Sequence, residues 1–175
     1  GADGKNFGKR VPNSTWPGAK FRIDTENAAG TVTWTASSPA VSISGNVMTV
    51  KSNPAGVTLT GTDTDGQTVT LNMGSNWFAQ SATKYEWLNS DYDGTAIYSC
   101  RQLGTQVASS GALQGVISEW GELETYEGWT NLKNNWLYSS TTVISGNGVK
   151  STIAYYFPGG REGQLSGIRG YYACR

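Results

Sequence analysis

Two short acidic motifs are the first candidates for chemistry: DTDG at residues 63–66 and DYDG at residues 91–94. Paired carboxylates followed by a glycine resemble the opening of a calcium loop, which also needs further oxygen ligands and a closing Glu. Gln67–Asn72 and Thr95–Ser99 do not supply that set. Asp-Gly is equally the chemistry of tight turns and helix caps, and both motifs read as turn or cap. A second acidic set, Glu119, Glu122, Glu124 and Glu127, could serve a basic partner, or could provide the two carboxylates that glycoside hydrolysis requires. A helix end with solvated charges accounts for it more simply. The chain has no histidine, which excludes His-based triads, His-containing zinc sites and imidazole acid–base catalysis. No catalytic residue, metal site or cofactor is assigned, and the chain is not expected to be an enzyme.

Cys100 and Cys174 are the two cysteines, too few for a four-thiolate zinc site but enough for one disulfide. Cys174 is one residue from the end of the sequence, where chains usually fray. A bridge would clamp a last strand beside the helix that carries Cys100. Closing so long a loop is worth roughly 4–5 kcal/mol on the chain-entropy argument. The alternative is two free buried thiols.

The elements that would position these groups fall into two textures. Residues 30–73 are rich in Thr and Val, and alternate with a period of two. Alternation pairs Val32 with Trp34, Val41 with Ile43, Val57 with Leu59, and Val69 with Leu71 and Met73. In NVMTV it leaves open whether Val47 and Thr49 or Met48 and Val50 face inward. Turn clusters SGN, NPAG and DTDG break the runs, which predicts an immunoglobulin-like β-sandwich. After GSNW, at residues 74–77, the texture changes. Residues 78–88 are aromatic and mixed, and read as a strand or an entry segment. The spacing of Ala96, Cys100 and Leu103 predicts a helix capped by Asp93 and ended by Gly104. Leu113, Val116, Ile117 and Trp120 form a second helical stripe, capped by Ser109 or Ser110 and closed by Gly121. Beyond residue 129 come short β-like pieces, and PGGREGQLSGIRG at residues 158–170 reads as a loop.

Composition bounds the function. Hydrophobic residues are 37% of 175 and charged residues 15%, so a folded core is within reach. Thirteen basic residues balance thirteen acidic ones, which argues against a nucleic-acid partner. No apolar run approaches the ~20 residues a membrane-spanning helix needs. Residues 1–15 are polar and Gly-rich and do not read as a signal peptide, so export would need a signal outside this sequence or already removed. Trp129, Trp136 and Tyr138 surround NLKNN, and aromatics are enriched at interface hot spots as well as in cores. Arg161, Glu162 and Arg169 lie in the 158–170 stretch, where a loop would hold binding residues. These six are the candidate partner-binding residues.

The run TAIYSCRQLGTQVASSGALQGVISEWGELETYE, residues 95–127, resembles the C-terminal C-type-lectin-like domain of the intimin/invasin adhesins of Gram-negative bacteria. The matching positions are Cys100, Arg101, Gly104, Ser109–Ser110, Trp120–Gly121 and Tyr126–Glu127. YSSTTVIS at 138–145 and the terminal YYACR are also similar, and the two cysteines enclose about the same span. The first half resembles the bacterial immunoglobulin-like domain that precedes it, through Trp34, Ser37, Pro39 and Ala40 of TVTWTASSPAVSIS. The resemblance covers about residues 16–175 and implies an all-β immunoglobulin-like sandwich followed by an α+β C-type-lectin-like domain with one disulfide. The domains expected are 1–75, of which 1–15 is an N-terminal extension, and 76–175.

That resemblance implies a non-catalytic adhesin tip at the bacterial cell surface, or secreted. It would bind a host-cell surface protein through the lectin-like domain, alongside an outer-membrane β-barrel on the same or a partner chain. The fragment is expected to be a monomer. The alternatives are a secreted passenger that modulates virulence, a calcium-independent glycan binder, and a self-associating biofilm module. Intimins carry a Trp after the Ile-Ser pair, where this chain has Gly146, and their segment corresponding to Ile144–Ser151 is longer. The sugar-binding lectin motifs Glu-Pro-Asn, Gln-Pro-Asp and Trp-Asn-Asp do not occur, and neither does Arg-Gly-Asp.

Overall fold

Thr, Val and Ile branch at Cβ, lose side-chain freedom in a helix and pack well on a pleated surface. The sequence between residues 30 and 73 uses them accordingly. The computed structural model describes residues 4–25, 28–87, 95–167 and 169–175, with the side chains of 95–97 left aside. DYDG at 91–94, with the expected cap Asp93, and the side chain of Ala96 lie outside the described residues. The chain divides into two units, residues 1–77 and 78–175.

The first unit is built of short strands: β1 (Lys5–Asn6), β2 (Ser14–Thr15), β3 (Lys20–Arg22), β4 (Thr33–Ala36), β5 (Val41–Ser44), β6 (Val47–Val50), β7 (Thr58–Thr62), β8 (Thr68–Asn72) and β9 (Asn76–Trp77). One sheet has the order β1-β3-β6-β5 and another β4-β7-β8, while β2 and β9 pair in parallel. Strand β6 resolves the open register: Met48 and Val50 are fully buried, as are Phe21 and Ile23 from the β3 segment. Gly45 takes φ 62° in the two-residue connection between β5 and β6, the left-handed conformation such hairpins need. Trp34 sits opposite Gly61 on β7, and a Cβ built there would lie 2.8 Å from the indole. The ring is laid across a bare stretch of backbone. DTDG makes a turn in which Asp63 Oδ1 accepts the amides of Asp65 and Gln67, both at 2.9 Å. That carboxylate is engaged by its own backbone.

The second unit comprises β10 (Gln80–Trp87), α1 (Thr95–Gln102), α2 (Ser110–Trp120), two single 3₁₀ turns (Leu123–Thr125 and Thr130–Leu132), β11 (Trp136–Ile144), β12 (Lys150–Tyr156), β13 (Arg161–Leu165) and β14 (Arg169–Cys174). The sheet order is β10-β14-β11-β12-β13, antiparallel throughout except for the parallel pair β11/β14. Ser109 caps α2 by accepting the amide of Ala112 at 3.2 Å, and Gly121, at φ 76°, donates its amide to Ile117. Leu113, Val116 and Trp120 are buried along the stripe their spacing predicts.

Three expectations are corrected. Leu103 does not extend the inward face of α1: it follows the helix and is 49% exposed. The chain turns there, with the Leu103 and Thr105 amides both donating to the Cys100 carbonyl. The 158–170 stretch is not a plain loop, because Arg161–Leu165 pairs with Thr152–Tyr156 as β13. Its polar, Gly-containing sequence has little strand propensity, and the ladder offered by β12 overrides it. The acidic set is not wholly solvated either, since Glu124 is buried in its 3₁₀ turn.

Candidate binding surfaces

Successive residues of a strand point to opposite faces, so the sheet of the second unit separates its aromatics by parity. On one face Tyr138, Ala154, Tyr172 and Cys174 pack with Cys100 and Val107. Cys100 and Cys174 are joined by a disulfide, with Cα atoms 5.3 Å apart. Backbone bonds reinforce the clamp: the Ala108 amide donates to Ala173 at 2.9 Å, and the Arg175 amide to Gln106 at 2.8 Å. On its other side Cys174 pairs with Gln80 of β10, so the end of the last strand is held on both sides. Burial, with the neighbouring Tyr172 and Glu86, pushes the Tyr138 phenol far above its ordinary range. Among the described residues neither Tyr138 nor Tyr172 finds a hydrogen-bond partner for its hydroxyl.

These positions decide two of the candidate contacts. Tyr138 is 2% exposed, and Trp129 is fully buried, edge-on to Phe78 at 5.7 Å. A side chain without accessible surface cannot touch a partner, so both belong to the core, and the expectation of partner contact is corrected.

Trp136, on the same face as Tyr138, is half-buried and packs against that cluster. Its ring packs at 5.0 Å, tilted by 58°, against its cross-strand neighbour Tyr156, and the Arg161 guanidinium lies 5.9 Å from the Tyr156 ring. The row Trp136, Tyr156, Arg161 thus crosses β11, β12 and β13 in register. Gly163 makes room for it, because a Cβ there would fall 2.9 Å from the Trp136 indole.

Glu162 points the other way. Its Oε1 accepts from the Tyr155 hydroxyl at 3.2 Å and from Gln114 Nε2 at 3.1 Å, tying β13 to α2. Burial, then the Glu162 charge, pushes the Tyr155 phenol up to about 12. Glu162 is exposed, but its carboxylate already serves as a structural acceptor.

Arg169 belongs to a third group, which the reading of the sequence missed. Tyr85 pairs with Tyr171 and Trp87 with Arg169 across β10 and β14, so all four share a face. The Tyr85 and Tyr171 rings are 4.9 Å apart, and the Arg169 guanidinium lies 4.7 Å from Tyr85 and 6.0 Å from Trp87. Trp87 is 63% exposed and Tyr85 39%. The signal was present in KYEW and RGYY, where period two sets Tyr85 and Trp87 opposite Lys84 and Glu86. Among the described residues no group of His, Cys, Asp and Glu side chains is arranged to hold a metal ion.

No protein-family model and no curated protein sequence matches this chain. Solved structures do. A mutant intimin of EHEC O157:H7 superposes with a TM-score of 0.61 at 16% identity, covering 94% of this chain and 87% of that one. A C-terminal 282-residue intimin fragment, solved in complex with the intimin-binding domain of the translocated intimin receptor, gives 0.62 at 20% identity. It is matched over 94% of this chain and 59% of its own length. Intimin-190 from enteropathogenic E. coli gives 0.53 at 18% identity, over 94% and 89%. The mostly-β fold with one disulfide is an intimin-like fold.

Proposed function

We propose that this chain is a non-catalytic adhesive module of a Gram-negative bacterial surface protein, and that its second unit binds a receptor protein on a host cell. The observation that carries the reading is the intimin-like fold across 94% of the chain, shared with a fragment solved in complex with a receptor domain. On this reading the first unit is a bacterial immunoglobulin-like domain and the second a C-type-lectin-like domain. An outer-membrane β-barrel, on the same or a partner chain, holds or exports the module, which acts at the cell surface or after secretion. The module itself is a monomer. The surface available to a partner includes Trp136 with Arg161, and separately Arg169 with its aromatic neighbours.

The test is binding of the purified, oxidised chain to intact mammalian epithelial cells, with protease-treated cells beside them. Saturable binding that disappears after protease treatment is the expected result. Absence of binding at micromolar protein, or binding that protease leaves intact, overturns the host-receptor reading. In that case self-association in solution and binding to a glycan array discriminate the remaining roles.

A further inference from the structure

Of the seven tryptophans, Trp16, Trp34, Trp120 and Trp129 are buried, and Trp77 and Trp136 are half-buried. Trp87 alone keeps most of its surface in water, at 63% exposed, although it sits on a paired strand of the sheet. Exposing an indole forgoes much of its burial free energy. Its cross-strand neighbours pack against one another. Arg169 faces it directly across the β10/β14 pair and lies over the Tyr85 ring, which is itself packed on Tyr171. Trp, Tyr and Arg are the residue types that dominate interface hot spots. Here they are preset by cross-strand register, which lowers the ordering cost of binding.

Charge narrows the occupant. The contacts of Arg169 are ring faces, and among the described residues no carboxylate pairs with it. The nearest acidic side chain in sequence on β10, Glu86, alternates to the opposite face, where its field acts on Tyr138. Lys84 shares that opposite parity. Among the described residues the patch is therefore a cation among three aromatic rings. A guanidinium placed over ring faces keeps N–H donors for a further partner, and a carboxylate can take two of them in parallel. The guanidinium also occupies the face of Tyr85 on which a sugar ring would stack, which favours a peptide over a glycan.

Resting on the receptor-binding reading for the class of ligand, we propose that Trp87, Tyr85 and Arg169 form the contact centre of the second unit. The centre takes a segment of a protein partner in which an Asp or Glu side chain meets Arg169 and an apolar neighbour covers Trp87. Strand β10 lies at an edge of its sheet, so this segment can approach from the side.

The experiment uses the oxidised 175-residue chain on immobilised synthetic dodecapeptides. These carry Leu or Trp beside Asp or Glu, with Asn and Gln counterparts and carboxylated glycans on the same surface. Trp87→Ser and Arg169→Gln are compared with the parent and with Lys51→Gln, an exposed change in the first unit. Both test positions are exposed, and circular dichroism verifies folding. The expected result is salt-sensitive binding to acidic peptides, weakened about ten-fold or more by either variant and untouched by Lys51→Gln. Equal binding to the amide counterparts, parental binding by both variants, no peptide binding, or capture by the glycans instead overturns the proposal. Acidic-peptide binding without cell binding supports this site and overturns the host-cell reading. Cell binding that survives both substitutions overturns this site and leaves the host-cell reading standing.

Discussion

Tyr155 is where a single residue links the sheet to its helix. Its hydroxyl donates to Glu162 and lies 3.3 Å from the Ser110 carbonyl, and its phenol is pushed up to about 12. A phenol raised in the folded state keeps its proton when the unfolded chain has already lost it. The stability this contributes is complete below pH ~10 and is lost as pH rises through 10 toward 12. Screened by solvent, the loss for that residue is on the order of 1 kcal/mol. Denaturant melts between pH 9 and 12 should therefore show a steep alkaline decline, and Tyr155→Phe should flatten it. An unchanged slope in the variant would assign the decline to other groups, Tyr138 first, since burial raises it further. Legibility at this scale was uneven. Arg161, Glu162 and Arg169 were singled out as one group, yet they serve three different environments. Strand parity separates residues 161 and 162, and residue 169 lies on β14, which the sheet order places between β10 and β11, two strands away from β12.

At the scale of elements, the clamp on β14 combines a covalent bond with a backbone ladder. The disulfide spans a sequence separation of 74 residues. Replacing both cysteines, Cys100→Ser with Cys174→Ser, should cost about 4–5 kcal/mol in the second unit. For a unit of this size that lowers its melting temperature by about 20 °C or more. The Ala108–Ala173 and Arg175–Gln106 bonds remain, so the reduced unit should still fold at low temperature. Scanning calorimetry of the variant reads both outcomes, and a melting temperature equal to the parent's would show that the ladder alone suffices. Helix α2 was legible to its caps, because Ser109, Gly121 and the apolar stripe act within a few residues of one another. Strand β11 was less so. It runs unbroken from Trp136 to Ile144 through an irregularity between Tyr138 and Thr142, and Ser139 stitches that region by donating to Ile153 at 2.7 Å and accepting from Thr141 at 3.0 Å. The partners of that stitch lie on another strand or across a bulge, and periodicity registers neither.

For the molecule as a whole, each strand pairing described falls within one unit: β2 closes on β9 in the first, and β10 joins β14 in the second. The second unit has its own five-stranded sheet, two helices and disulfide. Residues 78–175 produced alone under oxidising conditions should fold and unfold cooperatively, with native-like near-ultraviolet dichroism from the buried Trp120 and Trp129. Non-cooperative melting of that fragment would show that the two units depend on each other for stability. The same fragment is the natural carrier for the Trp87 and Arg169 variants once its folding is established.

The sequence alone determined what depends on neighbours a few positions apart. Period-two runs of branched residues specified strands, the capped stripe specified α2, and the absence of histidine excluded imidazole-based chemistry. The likeness of residues 95–127 to the intimin/invasin adhesins also agrees with the fold. Tertiary structure decided which aromatics meet water. Trp129 and Trp87 are the same residue in similarly mixed surroundings, yet one is sealed against Phe78 and the other stands over the sheet beside Arg169. Burial of an indole depends on what arrives from elsewhere in the chain. A strand 82 positions away, β14, placed Arg169 opposite Trp87. Local spacing carries no record of such pairings, so the candidate contact surface emerged only when the sheet was closed.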